Sequence, residues 1–234
     1  MSPEGLSVEP RLRPLIGQKL ASRYEILREV GRGGMGVVYL ARDPVLDREV
    51  AIKMLTSGNL QGDQRERFER EARAVAKLDH PGIVPIYDFA GYEGNLFFVM
   101  PFVEGMTLRA VQKDETLKAH EILEIGAQVA DALNYSHQRG IVHRDIKPEN
   151  IMVVREGDEW RAKLMDFGIA LGAKDSRMTK SDIIVGTLAY LPPESILDSS
   201  TSPAADIYSL GVVLFESLSG KLPFSGDTQT VLYK

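Results

Sequence analysis

His143-Arg144-Asp145-Ile146-Lys147-Pro148-Glu149-Asn150 places an acid, a lysine two residues on and an amide five residues on within eight positions. The stretch stands at a change of pattern. Upstream, Ala119 to Gln138 carries Ile122, Ile125, Val129 and Leu133 at helical spacing, and Gly140 is placed to end that helix. Downstream, Ile151 to Val154 and Arg161 to Met165 are short β-type runs around the turn signal Gly157-Asp158, and Asp166-Phe167-Gly168 follows at once. The eight residues therefore read as a loop between a helix and a hairpin. Further on, Ala204 to Ser219 is apolar nearly all round and reads as a buried helix.

The first hundred residues read differently. Tyr24 to Gly31, Val37 to Ala41 and Glu49 to Met54 are β-type runs separated by Gly, Asp and Pro. Asp63 to Leu78 reads as a helix with Phe68, Ala72 and Val75 on its apolar stripe. Val84 to Phe89 and Leu96 to Phe102 then complete an antiparallel sheet, with Gly91 to Asn95 as the turn. The break between the two kinds of sequence falls near Val103 to Gly105, and a crevice between two such parts is a favoured place for a ligand.

Two features of the strand-rich part carry chemistry. Gly31-Arg32-Gly33-Gly34-Met35-Gly36-Val37-Val38 fits G-x-G-x-x-G-x-V, and its strand-like flanks make it a strand-turn-strand flap. Glycines let backbone amides approach phosphate oxygens with no Cβ in the way; an ordinary hairpin turn accounts for the same residues. In Val50-Ala51-Ile52-Lys53 a lysine interrupts an apolar strand, which is costly unless its ammonium meets an anion. Glu71 is a candidate partner, but spacing does not choose among Glu66, Glu69 and Glu71.

The chain has 234 residues, is 44% hydrophobic, and has a formal net charge of −5 with both signs mixed along it. That composition supports a large core or two small ones and makes wholesale disorder a poor reading. There is no basic block, so nucleic acid is not the expected partner. The absence of cysteine excludes disulfides, thiol nucleophiles and cysteine zinc sites, and fits a cytoplasmic protein. No apolar run reaches the roughly 20 residues of a membrane helix. Residues 1–20 read as a Pro-containing arm, mobile to about Leu15.

In order and spacing, Gly31 to Val38, Val50 to Lys53, His143 to Asn150 and Asp166 to Gly168 together resemble the protein kinases, from about Tyr24 to the end of the chain. The wording of Gly31 to Asp43 and of Asp145 to Asn150 is closest to bacterial eukaryotic-like (Hanks-type) Ser/Thr kinases. The resemblance implies an α+β, two-lobed fold. Residues 21–103 would form an antiparallel sheet plus one helix, and 104–234 a mainly helical lobe, incomplete because family members continue with several more helices.

The resemblance implies transfer of the ATP γ-phosphate, with Mg²⁺, to Ser or Thr hydroxyls of a protein. Asp145 would orient the hydroxyl and take its proton, Lys147 would stabilise the γ-phosphate, and Asn150 and Asp166 would hold two Mg²⁺ ions. Val30, Gly31, Arg32, Gly33, Gly34 and Gly36 would cover the phosphates, and Lys53, directed by Glu71, would neutralise them. Met100 takes the gatekeeper position and Pro101-Phe102-Val103 the hinge, while Val38, Ala51 and Met152 would sandwich adenine. Pro101 departs from the acidic residue common there but keeps its carbonyl. His143 would pack under the Asp166-Phe167-Gly168 turn rather than act as a base, and Asp206 would brace the catalytic loop. His120 and His137 read as helix-surface residues, and Trp160 has no assigned role. Arg144 implies control by phosphate at Thr179 or Ser181, with Thr187 contacting Asp145 and Lys147, and a dimer for phosphorylation in trans is compatible with this. The alternatives are a truncated, inactive fragment or binding module, and a small-molecule kinase, against which Thr187 to Glu194 speaks.

Overall fold

Six strands build the first sheet: Lys19–Leu20 (β1), Tyr24–Gly33 (β2), Gly36–Asp43 (β3), Arg48–Leu55 (β4), Asp88–Tyr92 (β5) and Asn95–Pro101 (β6). They lie antiparallel in the order β1-β2-β3-β4-β6-β5. The computed structural model describes residues 15–33, 36–55, 62–114, 117–168, 189–197 and 202–224. Contacts divide the chain into two units, Met1–Gly62 with Ile86–Phe102, and Asp63–Pro85 with Val103–Lys234.

Two-residue alternation organises the first unit. Val37, Tyr39 and Ala41 of β3, Val50, Ile52 and Met54 of β4, and Phe97 and Val99 of β6 share one face. There they form a core with Leu15, Leu20, Tyr24 and Ile26. The sheet thus takes in Leu15 and β1, residues that the sequence places in the arm. Arg23 closes one end of the sheet with a two-pronged bond to the buried Asp43, Nε to Oδ1 at 2.9 Å and a terminal nitrogen to Oδ2 at 2.6 Å. The β5–β6 hairpin turns at Glu93-Gly94, both in the left-handed region (φ 48° and 80°), as a two-residue turn between twisted strands requires. Strand β5 begins at Asp88, not Val84, because residues 82–84 are held elsewhere in the chain. The Val84 N–H donates to the Leu164 carbonyl, and the Leu164 N–H donates to Gly82.

In the second unit, Asp63–Val75 (α1) stops before Leu78. The amides of Lys77 and Leu78 bond three residues back, which tightens the last turn. Met106–Thr107 (β7) leads into Leu108–Asp114 (α2) and the long Ala119–His137 (α3). A 3₁₀ turn, Pro148–Asn150, precedes the hairpin Ile151–Glu156 (β8) and Glu159–Leu164 (β9), and β7 pairs with β8. Pro193–Leu197 (α4) and Pro203–Ser219 (α5) complete the described elements.

Trp160 has a structural task that the sequence does not show. Buried at 3% exposure, it donates its indole N–H to Glu121 Oε1 at 3.2 Å. Gln128 bridges the Trp160 carbonyl and the Ala162 amide, so the hairpin is tied to α3. The Lys118 N–H and then the indole hold the Glu121 carboxyl below its usual range. Helix α5 is buried on one face only. Ala205, Asp206, Ser209 and Leu210 are inside, whereas Ile207, Phe215 and Leu218 are about half exposed, so its near-uniform apolarity overstates its burial.

Candidate active site

The eight-residue loop is held from below by the buried Asp206 of α5. Its Oδ2 accepts the His143 N–H and its Oδ1 the Arg144 N–H, both at 2.8 Å. His137 adds a third contact, Nε2 to Asp206 Oδ2 at 2.7 Å, with its side chain only 12% exposed. It is therefore not a helix-surface residue.

His143 is fully buried. Its Nδ1 accepts the Asp145 N–H at 3.3 Å, so Nε2 carries the proton and donates to the Met165 carbonyl at 3.0 Å. Burial pushes its pKa down, and its ring packs against Phe167 in a tilted arrangement with centroids 4.5 Å apart. With both nitrogens engaged and the neutral form favoured, His143 cannot serve as a base toward a ligand.

Three of the sequence-predicted residues converge here. Lys147 Nζ lies 2.9 Å from both carboxylate oxygens of Asp145. Asn150 Nδ2 donates to Asp145 Oδ2 at 2.8 Å and to the Asp145 carbonyl at 2.7 Å. Both Asn150 bonds use the amide nitrogen, which leaves the amide oxygen as the group for a cation. The Met165 N–H donates to the Asn150 carbonyl, setting Asp166 next in line. Arg144 (φ 69°) and Asp166 (φ 61°) are non-glycine residues in the left-handed region, a conformation costing on the order of 1–3 kcal/mol each. The surrounding bonds hold that strain in the residues flanking Asp145 and Phe167.

Glu71 of α1 pairs with Arg67 at 3.4 Å and with Arg144 at 3.5 Å, while Glu69 pairs along the helix with Arg65 and Arg73. Among the described residues, Arg144 Nε is buried without a hydrogen-bond partner. Arg144, Glu71, Val75, Ile141 and Phe167 line a cavity of about 110 Å³.

In the first unit, Lys53 stands opposite Val38 and Phe98, and Ala51 opposite Leu40 and Met100. Directly opposed residues share a face, so Val38, Ala51, Lys53 and Met100 lie together on the face away from the core. Gly31, opposite Val38, joins them at the flap. The glycines divide by physical role. Gly36 has φ 146°, and a Cβ there would sit 2.0 Å from the Met54 carbonyl oxygen, so the sheet itself requires glycine. A Cβ at Gly31 or Gly33 would meet nothing within 4 Å, so packing does not explain these two. Val30 is exposed, and Arg32 bonds Glu29 at 2.8 and 3.1 Å. The Phe102 ring lies under the Arg28 guanidinium, 5.9 Å away. Val103 begins the second unit, and Met152 of β8 stands opposite Thr107 and Lys163. Gly34, Thr179, Ser181 and Thr187 lie outside the described residues.

The protein kinase domain model matches residues 24–234. The chain is 43% identical over 216 residues to the serine/threonine-protein kinase PrkC of Bacillus subtilis, covering 92% of this chain and 33% of that protein. It spans about a third of the length of the curated relatives it matches. Among solved structures, the Mycobacterium tuberculosis PknI kinase domain superposes with a TM-score of 0.72 at 31% identity, covering 88% of this chain and 78% of that one. Rad53 residues 1–466, in complex with AMP-PNP, superposes with a TM-score of 0.72 at 31% identity, covering 90% and 52%.

Proposed function

The chain belongs to the protein kinase domain family, and from that premise we propose that it transfers the γ-phosphate of ATP to Ser or Thr hydroxyls of a protein. The observation that carries this reading is the convergence of Lys147 and Asn150 on the buried carboxylate of Asp145. The acceptor oxygen attacks the γ-phosphorus, the bond to the β–γ bridging oxygen breaks to leave ADP, and the hydroxyl proton passes to Asp145. Asn150 fixes the carboxylate in the direction of that hydroxyl. Lys147, a cation beside it, offsets charge on the transferring group.

The donor set suits a hard divalent cation. The Asn150 amide oxygen, left open by the two bonds of its nitrogen, and the Asp166 carboxylate are oxygen ligands. When bound with ATP, Mg²⁺ neutralises phosphate charge. In the first unit, Gly31, Gly33 and Gly36, flanked by Val30 and Arg32, would present backbone amides to the phosphates, and Lys53 would pair with them. By their places in the motifs, Val38, Ala51, Met100 and Met152 would meet adenine. Phe102 and Val103 would offer backbone groups to its edge. Glu71 would be the carboxylate partner that the family resemblance assigns to Lys53. Gly34, by its place in the motif, belongs with the flap glycines. Arg144 would take a phosphate carried by Thr179 or Ser181, in competition with Glu71. Phosphorylation in trans within a dimer would supply it. No helix among the described residues is long and apolar enough to cross a membrane.

The test is incubation with γ-labelled ATP, Mg²⁺ and a generic protein acceptor, comparing wild type with Asp145→Asn. Label on Ser and Thr that falls at least about 100-fold in the variant supports the assignment. Equal labelling by both proteins, or none by either, overturns it. Rates rising faster than linearly with enzyme concentration would support transfer in trans.

A further inference from the structure

Arg109 of α2 belongs to none of the groups above, yet four of its N–H groups are engaged within the second unit. Nε donates to Glu149 Oε1 at 2.8 Å, and one terminal nitrogen to Gln112 at 3.1 Å and to Glu216 Oε1 at 2.9 Å. The other donates to the Tyr190 hydroxyl, which itself donates to Glu216 Oε2 at 2.6 Å. Guanidinium, phenol and carboxylate thus close a ring. Tyr190 is also held by its backbone, because Ser209 Oγ donates to its carbonyl at 2.7 Å.

The ring keeps its protonation states. Burial opposes the Arg109 charge, but its bonds to Glu216 and Glu149 outweigh it and raise the guanidinium pKa further. Burial, then the bond to Glu216, pushes the Tyr190 phenol up, so it stays neutral and can donate. The Arg109 and Glu216 side chains are only 24% and 14% exposed, so water cannot readily substitute for either; Glu149 is 46% exposed, and its bond depends on the guanidinium being held in place by Glu216 and Tyr190. Glu149 immediately precedes Asn150, whose amide aims Asp145. Movement at Glu149 is therefore passed along one peptide unit to the reacting carboxylate.

We propose that Arg109 is a positioning residue for phosphoryl transfer. It ties the catalytic loop at Glu149 and the Ala189–Tyr190 stretch to helix α5, so that Asp145 and the residues leading into Pro192-Pro193-Glu194 keep one spacing. The inference rests on the kinase reading for its consequence, not for its geometry.

The test compares wild type, Arg109→Ala, Arg109→Lys and Tyr190→Phe, using hydrogen exchange over residues 145–150 and 189–195 together with steady-state transfer to a protein acceptor. For Arg109→Ala, exchange should rise at both segments and not elsewhere, and kcat should fall about 10–100-fold with the KM for ATP unchanged within about 2-fold. Arg109→Lys, which keeps the charge but not the fork, should recover part of kcat. Tyr190→Phe opens the ring without removing a charge and should fall between. It decides the matter if Arg109→Ala does not fold. Unchanged exchange at both segments, exchange rising evenly over the whole unit, or kcat and KM for ATP changing together would overturn the proposal. If wild type transfers no phosphate, the kinase reading fails, and the exchange measurements still decide whether Arg109 ties the two segments.

Discussion

Asp206→Ala should destabilise the protein by about 4 kcal/mol, because it leaves two buried backbone donors without acceptors at about 1–3 kcal/mol each. The carboxylate is 1% exposed and accepts the amides of His143 and Arg144, each at 2.8 Å. His143 is fully buried, so water cannot replace the lost acceptor without opening the loop. His137 loses its partner as well, but at 12% exposure it lies closer to solvent and adds less. Asp206→Asn keeps one carbonyl oxygen while turning an amide donor toward one of the N–H groups, so about half the loss, roughly 2 kcal/mol, is expected. Urea unfolding followed by Trp160 fluorescence measures both, and hydrogen exchange at His143 and Arg144 locates the effect. A loss below about 1 kcal/mol for Asp206→Ala, or an Asp206→Asn variant as stable as wild type, would refute the view that this carboxylate carries the loop.

Other substitutions separate packing from ligand binding. Gly36→Ala should lower stability by about 2 kcal/mol or more, since its Cβ would overlap the Met54 carbonyl, whereas Gly31→Ala should leave stability within about 0.5 kcal/mol yet weaken ATP binding. Thermal melts paired with nucleotide titration read both. Gly126→Ala should leave the melting temperature within a few degrees of wild type. Its Cβ would come within 2.7 Å of Leu214 Cδ2 between α3 and α5, so the leucine side chain must shift, and that cost offsets most of the roughly 1 kcal/mol gain in helix propensity. The acid limb should carry the mark of His143. Its folded pKa lies below the ordinary 6.5, so the unfolded chain binds the proton first. Stability should then fall as pH drops below 6.5, at about 1.4 kcal/mol per pH unit for one proton, until the folded pKa is reached. Unfolding measured from pH 7.5 to 5 should show this slope in wild type and lack it in His143→Phe. At lower pH, Glu121, whose folded pKa is depressed, gives stability present above its ordinary 4.5 and lost as pH falls through its folded value.

Most strands and helices were legible because their causes are local. Alternation in Val50–Met54, helical spacing in Ile122–Leu133 and the turn at Gly157-Asp158 act over a few residues, and the structure forms those elements. Elements were misplaced where distant partners intervened. Val84 is taken by Leu164, 80 residues away by number, so β5 starts late. Leu15 and Leu20 join a core whose other members lie as far along as Val99. The site divides in the same way. The residues of the His143–Asn150 loop were legible as a set because their spacing within eight positions is itself the signal. His137, Trp160 and Arg109 were not, because an isolated histidine, tryptophan or arginine on a helix or hairpin carries no pattern.

Sequence by itself determined the chemical inventory: the acid, lysine and amide of the loop, the flap glycines, and Lys53 in an apolar strand. These choices follow from side-chain chemistry and backbone freedom, which belong to each residue alone. Only the tertiary structure decided which groups have acceptors. Asp206 meets His143 and His137 across 63 and 69 residues, and Arg109 meets Glu216 across 107. Such pairings are set by how helices and hairpins pack. A buried donor must find an acceptor wherever the fold brings one within 3 Å, and no local rule says where that will be.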